Sequence, residues 1–306
     1  MPQTTRRSFI AQAATAAFAS SLIPKAWAAS PSPIGLELYT VGKPMTDDPA
    51  GTLHKVAAIG YQEVEVSGFG KLTPAELRKL IDDAGLKCPA AHLQFGFKET
   101  AQVLEEAKAL NIPYAASSIL LPASDTPAGG GMGGVLSKLN ALTADDFKSI
   151  AECANKIGEE SKKVGVQFAY HNHTHEFRDL GNGQTGYAIL LAETDPALVQ
   201  FEADCGWMTT AGVDPILYFK KYPARYRVIH VKDFPAGTKT TTTMGGPGMP
   251  HPTELGHGHI DYKPILEAAK RAGVQHFFVE QDPPMAGKTP LEAAEIDYAY
   301  LKSING

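Results

Sequence analysis

Arg227-Val228-Ile229-His230-Val231-Lys232-Asp233 is a short β-branched run that ends in titratable side chains. Three other runs share the design: one reaching Tyr170-His171-Asn172-His173, one reaching Phe201-Glu202-Ala203-Asp204, and Phe277-Phe278-Val279-Glu280. A near-continuous apolar run of four to six residues is the signature of a parallel strand buried on both faces. Each of the four closes on a residue type that binds a divalent metal through nitrogen or carboxylate oxygen. Four such endings in succession point to strands that converge on one mouth.

Outward from these runs, strands and helices alternate along the chain. Strands are expected at 34–39, 62–66, 87–93, 113–118, 167–172, 199–204, 227–231 and 276–281. Helices are expected at 48–59, 74–84, 99–110, 144–163, 186–192, 215–221, 262–272 and 290–302. Thr73 followed by Pro74, and Thr143 followed by Asp145 and Asp146, are helix-start signals. Gly60, Gly85, Gly165 and Gly273 fall where left-handed cap residues belong. Eight unbroken strand–helix pairs specify a single-domain α/β fold, the (β/α)8 TIM barrel, over residues 29–306. Two irregular, Gly- and Met-rich stretches, 121–141 and 234–258, follow strands and are read as mobile covers over a pocket.

The first 28 residues read differently. Thr5-Arg6-Arg7-Ser8-Phe9-Ile10, a short apolar stretch to Ile23, and Ala26-Trp27-Ala28 form the pattern of a cleavable twin-arginine signal peptide. The apolar part is too short to span a bilayer. A periplasmic protein with no stable membrane insertion is therefore expected. Loss of Arg6, Arg7 and Lys25, with no acid, moves the formal charge from −5 to −8. An acidic body of that kind argues against nucleic acid as a partner, because phosphate backbones are held by clustered Lys and Arg. Cys88, Cys153 and Cys205 are odd in number and scattered, so a disulfide framework is not expected.

Asp204, His230 and Glu280 end the sixth, seventh and eighth strands. Adjacent strands lie about 4.8 Å apart, so the three can meet around one ion. Carboxylate oxygen with imidazole suits Mn, Co, Fe, Zn or, less well, Mg. On the fifth strand His171 and His173 share a face while Asn172 points away. His171 lies at the depth of the other ligands; His173 is further out, toward substrate. Glu176 is a rim group or a capping acid. Lys232 and Asp282 lie two residues beyond His230 and Glu280 and share their direction. Lys232 either polarises a carbonyl oxygen or pairs with Asp233 or Asp282. His92 closes the third strand. Glu37 and Glu65, inside the first two strands, need a partner or a function, with ion pairing the plainer account. Trp207 and Phe95 are read as an apolar wall against a sugar ring, or as core. His175, His251, His257 and His259 are read as solvated loop residues.

Leu38-Tyr39-Thr40, Gly60-Tyr61 through Val64-Glu65, Tyr170-His171-Asn172-His173, Asp204 with Trp207, Ile229-His230-Val231-Lys232-Asp233 and Val279-Glu280-Gln281-Asp282 together resemble the xylose-isomerase-like TIM barrels. These are sugar isomerases and epimerases that share a fold with endonuclease IV. The resemblance covers residues 34 to about 303. It implies a divalent ion held by Glu, Asp, His and Glu from strands five to eight, of which Asp204, His230 and Glu280 carry over. The strand-five Glu is replaced here by His171. In the family's epimerases two metal-bound Glu residues flank the sugar and move protons on opposite faces, so the replacement weakens a symmetric two-base epimerisation.

The expected function is thus that of a metal-dependent isomerase or epimerase acting on a sugar or keto-sugar. Glu280 is the proton shuttle, with His173 or Lys232 assisting and His92, Glu65, Trp207 and Asp282 contacting substrate. The alternatives are a lyase that cleaves 3-keto-glycosides by β-elimination and a non-catalytic periplasmic sugar-binding protein. A nuclease is disfavoured by the acidic body.

Overall fold

The computed structural model describes residues 32–122, 131–285 and 287–305. The expected signal peptide, residues 1–28, lies outside them. Eight strands, β1 (Ile34–Glu37), β2 (Glu63–Val66), β3 (Lys87–His92), β4 (Tyr114–Ser117), β5 (Gln167–His171), β6 (Val199–Asp204), β7 (Tyr226–Val231) and β8 (His276–Val279), form a closed barrel. Each strand pairs in parallel with the next, and β8 pairs with β1.

Helices α1 (Gly42–Asp47), α2 (Pro49–Ile59), α3 (Pro74–Asp83), α4 (Thr100–Leu110), α5 (Gly131–Ala141), α6 (Ala144–Lys163), α7 (Gly186–Glu193), α8 (Cys205–Thr210), α9 (Pro215–Lys221), α10 (Tyr262–Ala272) and α11 (Pro290–Ile304) occupy the connections and follow the last strand. The start signals act as expected. Thr73 and Thr143 each close a capping box, with Glu76 and Asp146 respectively. The main core lies between strands and helices, where Val64, Val66, Phe168, Phe201, Ile229 and Val231 are fully buried. Among the described residues no helix is long and apolar enough to cross a membrane.

Two expectations about elements need correction. The first strand ends at Glu37, not at residue 39, because the Glu37 carboxylate accepts the Tyr39 N–H at 2.5 Å and starts a 3-10 turn, Leu38–Val41. The stretch 121–141 also contains a helix, α5, in which Val135 and Leu139 are buried one turn apart. Its glycines lower helix propensity but do not erase that apolar spacing. The 234–258 stretch carries no helix or strand beyond an isolated bridge between Asp233 and Thr253, as expected. Asn140 joins the two stretches: its amide donates to Met244 O at 2.8 Å and its carbonyl accepts from Met244 N at 2.7 Å. All three cysteines are free.

Register decides which side chains enter the lumen, because paired residues of parallel strands point to the same side. Glu37 pairs Glu65, His92 pairs Ala116, His171 pairs Glu202, Asp204 pairs His230, and His230 pairs Phe278. The inward set therefore climbs each strand in steps of two. Along four strands the lower inward positions are Gly35, Ala90, Val228 and Phe278, and two residues further on stand Glu37, His92, His230 and Glu280, joined in the lumen by Glu65, His171 and Glu202 from β2, β5 and β6. Ala90, Val228 and Phe278 form their own small apolar cluster. Gly35 is required there, since a Cβ would lie 2.4 Å from the Phe278 ring.

Candidate metal centre

At the C-terminal mouth of the barrel the stations meet. Ligand atoms of His171, Asp204, His230 and Glu280 all lie within 4.8 Å of one another, and those of His92, His171, Glu202 and His230 form a second such group deeper in the lumen. The two groups share His171 and His230. His230 Nδ1 faces outward, 2.8 Å from Glu280 Oε2, while its Nε2 faces inward, 2.6 Å from Glu65 Oε2 and 2.9 Å from Glu202 Oε1. A metal-bound imidazole commonly donates its other N–H to a carboxylate, which fixes its tautomer and orientation. Glu65 and Glu202 are placed for that task. Glu202 also lies 3.0 Å from His92 Nε2 and 3.7 Å from His171 Nδ1, which makes it the hub of the deeper group.

The outer group suits a divalent ion for three reasons. Asp204 Oδ2 and His171 Nδ1 are buried atoms without a hydrogen-bond partner among the described residues. His171 and Glu280 line a cavity of about 390 Å³, so substrate has access to an ion there. Carboxylates also crowd the site: Glu65, Glu202, Asp204, Glu280 and Asp282 surround it, and a bound divalent ion would join Lys232, His92 and His230 in offsetting them.

Local structure holds each ligand. Asp204 caps α8, its Oδ1 accepting the Trp207 N–H at 2.7 Å. Asn172, which points away from the ligands, accepts the Asp204 N–H at 3.2 Å. Glu176 accepts the His173 N–H at 3.0 Å and the Tyr170 hydroxyl at 3.1 Å. It is therefore a buried anchor for the His171–His173 segment rather than a rim group or a helix cap. Asp233 gathers four backbone N–H groups, from Phe234, Gly256, Gly258 and Ile260, and so ties down the loop after β7.

Electrostatics follow from this crowding. Burial works against a charged ring, but Glu202, Glu65 and Glu280 together hold His230 well above the usual imidazole range. His92 is raised to about 9 by Glu202 and Glu65 against the same burial. His171 carries the opposite balance: burial, reinforced by His92 and His230, lowers it to about 3, the neutral form a metal needs. Burial likewise pushes His173 well down. Asp204 is raised by burial to about 6, whereas Lys232 and His230 overcome burial and hold Glu280 well below the carboxylate range. The Lys232 ammonium lies 2.7 Å from Asp282, 2.9 Å from Glu280 and 3.4 Å from Asp204, over the Trp207 ring at 4.7 Å. Its partner among the acids considered is Asp282, not Asp233.

The cavity is lined by His92, His171, His173, Glu280 and Asp282 from the expected set. Glu65 and Trp207 are placed differently. Glu65 is fully buried under His230, and Trp207 backs Lys232 and packs on Phe234 at 4.9 Å. Phe95 is core, edge-on to Phe168 at 5.2 Å, while Phe97, two residues on, lines the cavity. Glu37 makes no ion pair among the described residues; burial and Glu280 raise it to about 8. His175 is buried, not solvated, and burial lowers it to about 3; His251, His257 and His259 are exposed. Glu202 went unselected in the sequence although it lies two residues before Asp204, the spacing that puts both on one strand face. Phe97 and Met132 on the cavity rim carried no sequence signal of their own, and Tyr39 entered only through the Leu38-Tyr39-Thr40 motif.

Residues 53–304 match the family model of the xylose isomerase-like TIM barrel. The chain belongs to that family. It is 28% identical to an inosose dehydratase of Lacticaseibacillus casei, over 88% of this chain and 94% of the relative. An inosose dehydratase of Geobacillus thermodenitrificans is 25% identical, over 83% and 89%. A crystal structure titled as a sugar phosphate isomerase/epimerase from Parabacteroides distasonis superposes with a TM-score of 0.69 at 24% identity, covering 90% of this chain and 96% of that one. That likeness is one of fold. The chain is an enzyme of the xylose isomerase-like family whose His/Asp/Glu cluster is able to chelate a divalent ion.

Proposed function

We propose that this enzyme is a metal-dependent carbon–oxygen lyase that eliminates a β-oxygen substituent from a keto-sugar. One observation carries the reading: His171 stands where a second metal-bound acid would make a symmetric pair, leaving Glu280 as the carboxylate that combines the ligand set with the cavity lining. One base suffices to remove a proton and let a neighbouring C–O bond break, whereas two-face epimerisation uses two. The relatives named as dehydratases catalyse an elimination by name, which supports the lyase over the isomerase.

In this reading His171, Asp204, His230 and Glu280 would hold the ion, whose Lewis acidity would supply polarisation of a keto oxygen and so a more acidic adjacent C–H. Glu280 takes the proton from that carbon. Lys232, kept charged by Asp282, Glu280 and Asp204 against its burial, supplies positive charge beside the base, and the proton taken by Glu280 passes on to the departing oxygen. His173, neutral and on the cavity wall, orients hydroxyls together with His92 and Asp282. The carbon–hydrogen and carbon–oxygen bonds break, a carbon–carbon double bond conjugated to the carbonyl forms, and the leaving group departs protonated.

NMR in deuterated water, with a panel of keto-sugars and added Mn, Co or Zn, tests this. Appearance of the unsaturated product is expected, with deuterium at the carbon beside the carbonyl in recovered substrate. Exchange with an epimerised product and no bond cleavage would return the enzyme to the isomerases.

We also propose that residues 1–28 direct twin-arginine export to the periplasm, on the strength of Arg6-Arg7 and Ala26-Trp27-Ala28. Replacing Arg6 and Arg7 with Lys should retain the protein in the cytoplasm, as cell fractionation would report.

A further inference from the structure

A second cavity adjoins the first. It measures about 460 Å³ and lies between the segments that follow β1 and β2, on the same face as the metal centre. Tyr39 and Ser67 line both cavities, so they form the shared wall. Each cavity alone falls within the range of small-molecule sites, about 300–1,000 Å³. None of the ligand candidates lines the second one. Its walls are Leu38, Met45, Phe69 and Leu72, with Thr46, Asp47 and Lys71 as its polar groups.

Exposed apolar side chains mark the same region. Tyr39, 50% exposed, lines both cavities, while Phe97, 45% exposed, and Met132, 60%, stand on the metal-side cavity next to it. Only Leu217, on α9, is a comparably exposed large apolar residue among those described. Apolar area left open to water and gathered at a pocket mouth marks a binding surface rather than a folding need. A site built only for a single small ring and the loss of water would have no use for it.

We propose that the cavity between the β1 and β2 loops receives the leaving group, and that the substrate is a keto-glycoside carrying an apolar-faced aglycone or second ring. This rests on the elimination reading above. The keto-sugar ring occupies the metal-side cavity, and Tyr39 stands at the scissile junction. The proton beside the carbonyl passes to Glu280, the C–H electrons form a carbon–carbon double bond as the glycosidic C–O bond breaks with its electrons on the aglycone oxygen, and that oxygen takes the proton from Glu280 and leaves as an alcohol. No oxidant is consumed. The carbonyl must come from a prior oxidation of the sugar by another enzyme.

The test compares methyl and cyclohexylmethyl 3-keto-β-glucosides, whose alkoxide leaving abilities are close, on the metal-loaded enzyme. The cyclohexylmethyl substrate should have a KM about tenfold lower, as apolar contacts of this size allow. Phe69→Ala should erase most of that difference while leaving the methyl substrate unchanged, and Met45→Ala serves if the first variant folds poorly. Equal KM values in the wild type, or equal losses on both substrates in the variants, overturn the proposal. Calorimetric binding of the unreactive methyl and cyclohexylmethyl β-glucosides separates the cavity from the chemistry. Tighter binding of the larger one, lost in Phe69→Ala, sustains the cavity assignment even if neither keto-glucoside is cleaved. Equal binding counts against it.

Discussion

Two rungs of one barrel carry opposite chemistry. On the lower, Gly35, Ala90, Val228 and Phe278 plug the lumen with apolar surface. On the upper, two residues further along the same strands, Glu37, His92, His230 and Glu280 meet Glu65 and Glu202 from β2 and β6, and carboxylate packs against imidazole. Both rungs share their backbone and their hydrogen-bonded register. A phenyl ring and small apolar groups fill the lumen at the lower level, where the ionisable side chains that pair with Gly35 and Val228, Glu63 and His276, lie 2.8 Å apart as an ion pair. Burying several acids is costly unless they are paired or hold a metal, so the upper rung is retained for chemistry and the lower for stability.

The sharpest break of that comparison is Glu280→Gln. Loss of the base should lower turnover by about 10²–10⁴-fold while thermal unfolding and circular dichroism stay near wild type. Near-normal turnover would remove Glu280 from the base role. On the other rung, Phe278→Ala should cost about 3–5 kcal/mol in denaturant unfolding and leave turnover per folded molecule largely intact. A variant stable but inactive would mean that the two rungs are not separable.

A buried acid away from the lumen sharpens the same point. Burial raises Asp297 from its ordinary 3.8 to about 7. The folded state therefore binds more protons than the unfolded state between those values, and stability should fall as pH rises through that window, by on the order of a few kcal/mol. Asp297→Asn keeps an acceptor for the Leu255 N–H and should flatten this fall, as unfolding from pH 4 to 7 would show. An unchanged slope would assign the loss to the lumen acids instead. The smallest effect is expected for Gly35→Ala, about 1–3 kcal/mol of destabilisation, as the new methyl meets the Phe278 ring.

Much of this was legible in the sequence, and the gaps have physical causes. Short apolar runs alternating with helix signals located the strands, and ligand-type residues at their ends pointed to His171, Asp204, His230 and Glu280, whose ligand atoms the fold brings within 4.8 Å of one another. Glu202 was overlooked because only the last residue of its run was weighed, although alternation placed it on the same face. Trp207 was misplaced as a substrate contact because direction beyond a strand end depends on the turn that follows: it sits in α8 and faces Lys232, while Phe95 took the core alternative. Helix α5 hid behind its glycines. The second cavity had no sequence signature, since loops brought together by the barrel, not local pattern, create it.

The central claim is that one divalent ion occupies the outer ligand group. Anomalous diffraction from crystals grown with Mn or Co, with elemental analysis of the same protein, tests it most directly. One ion per chain bonded to His171, Asp204, His230 and Glu280, with His230 Nε2 still against Glu65 and Glu202, is the predicted result. An ion held instead by His92, His171, Glu202 and His230, or no bound ion at all, would contradict it.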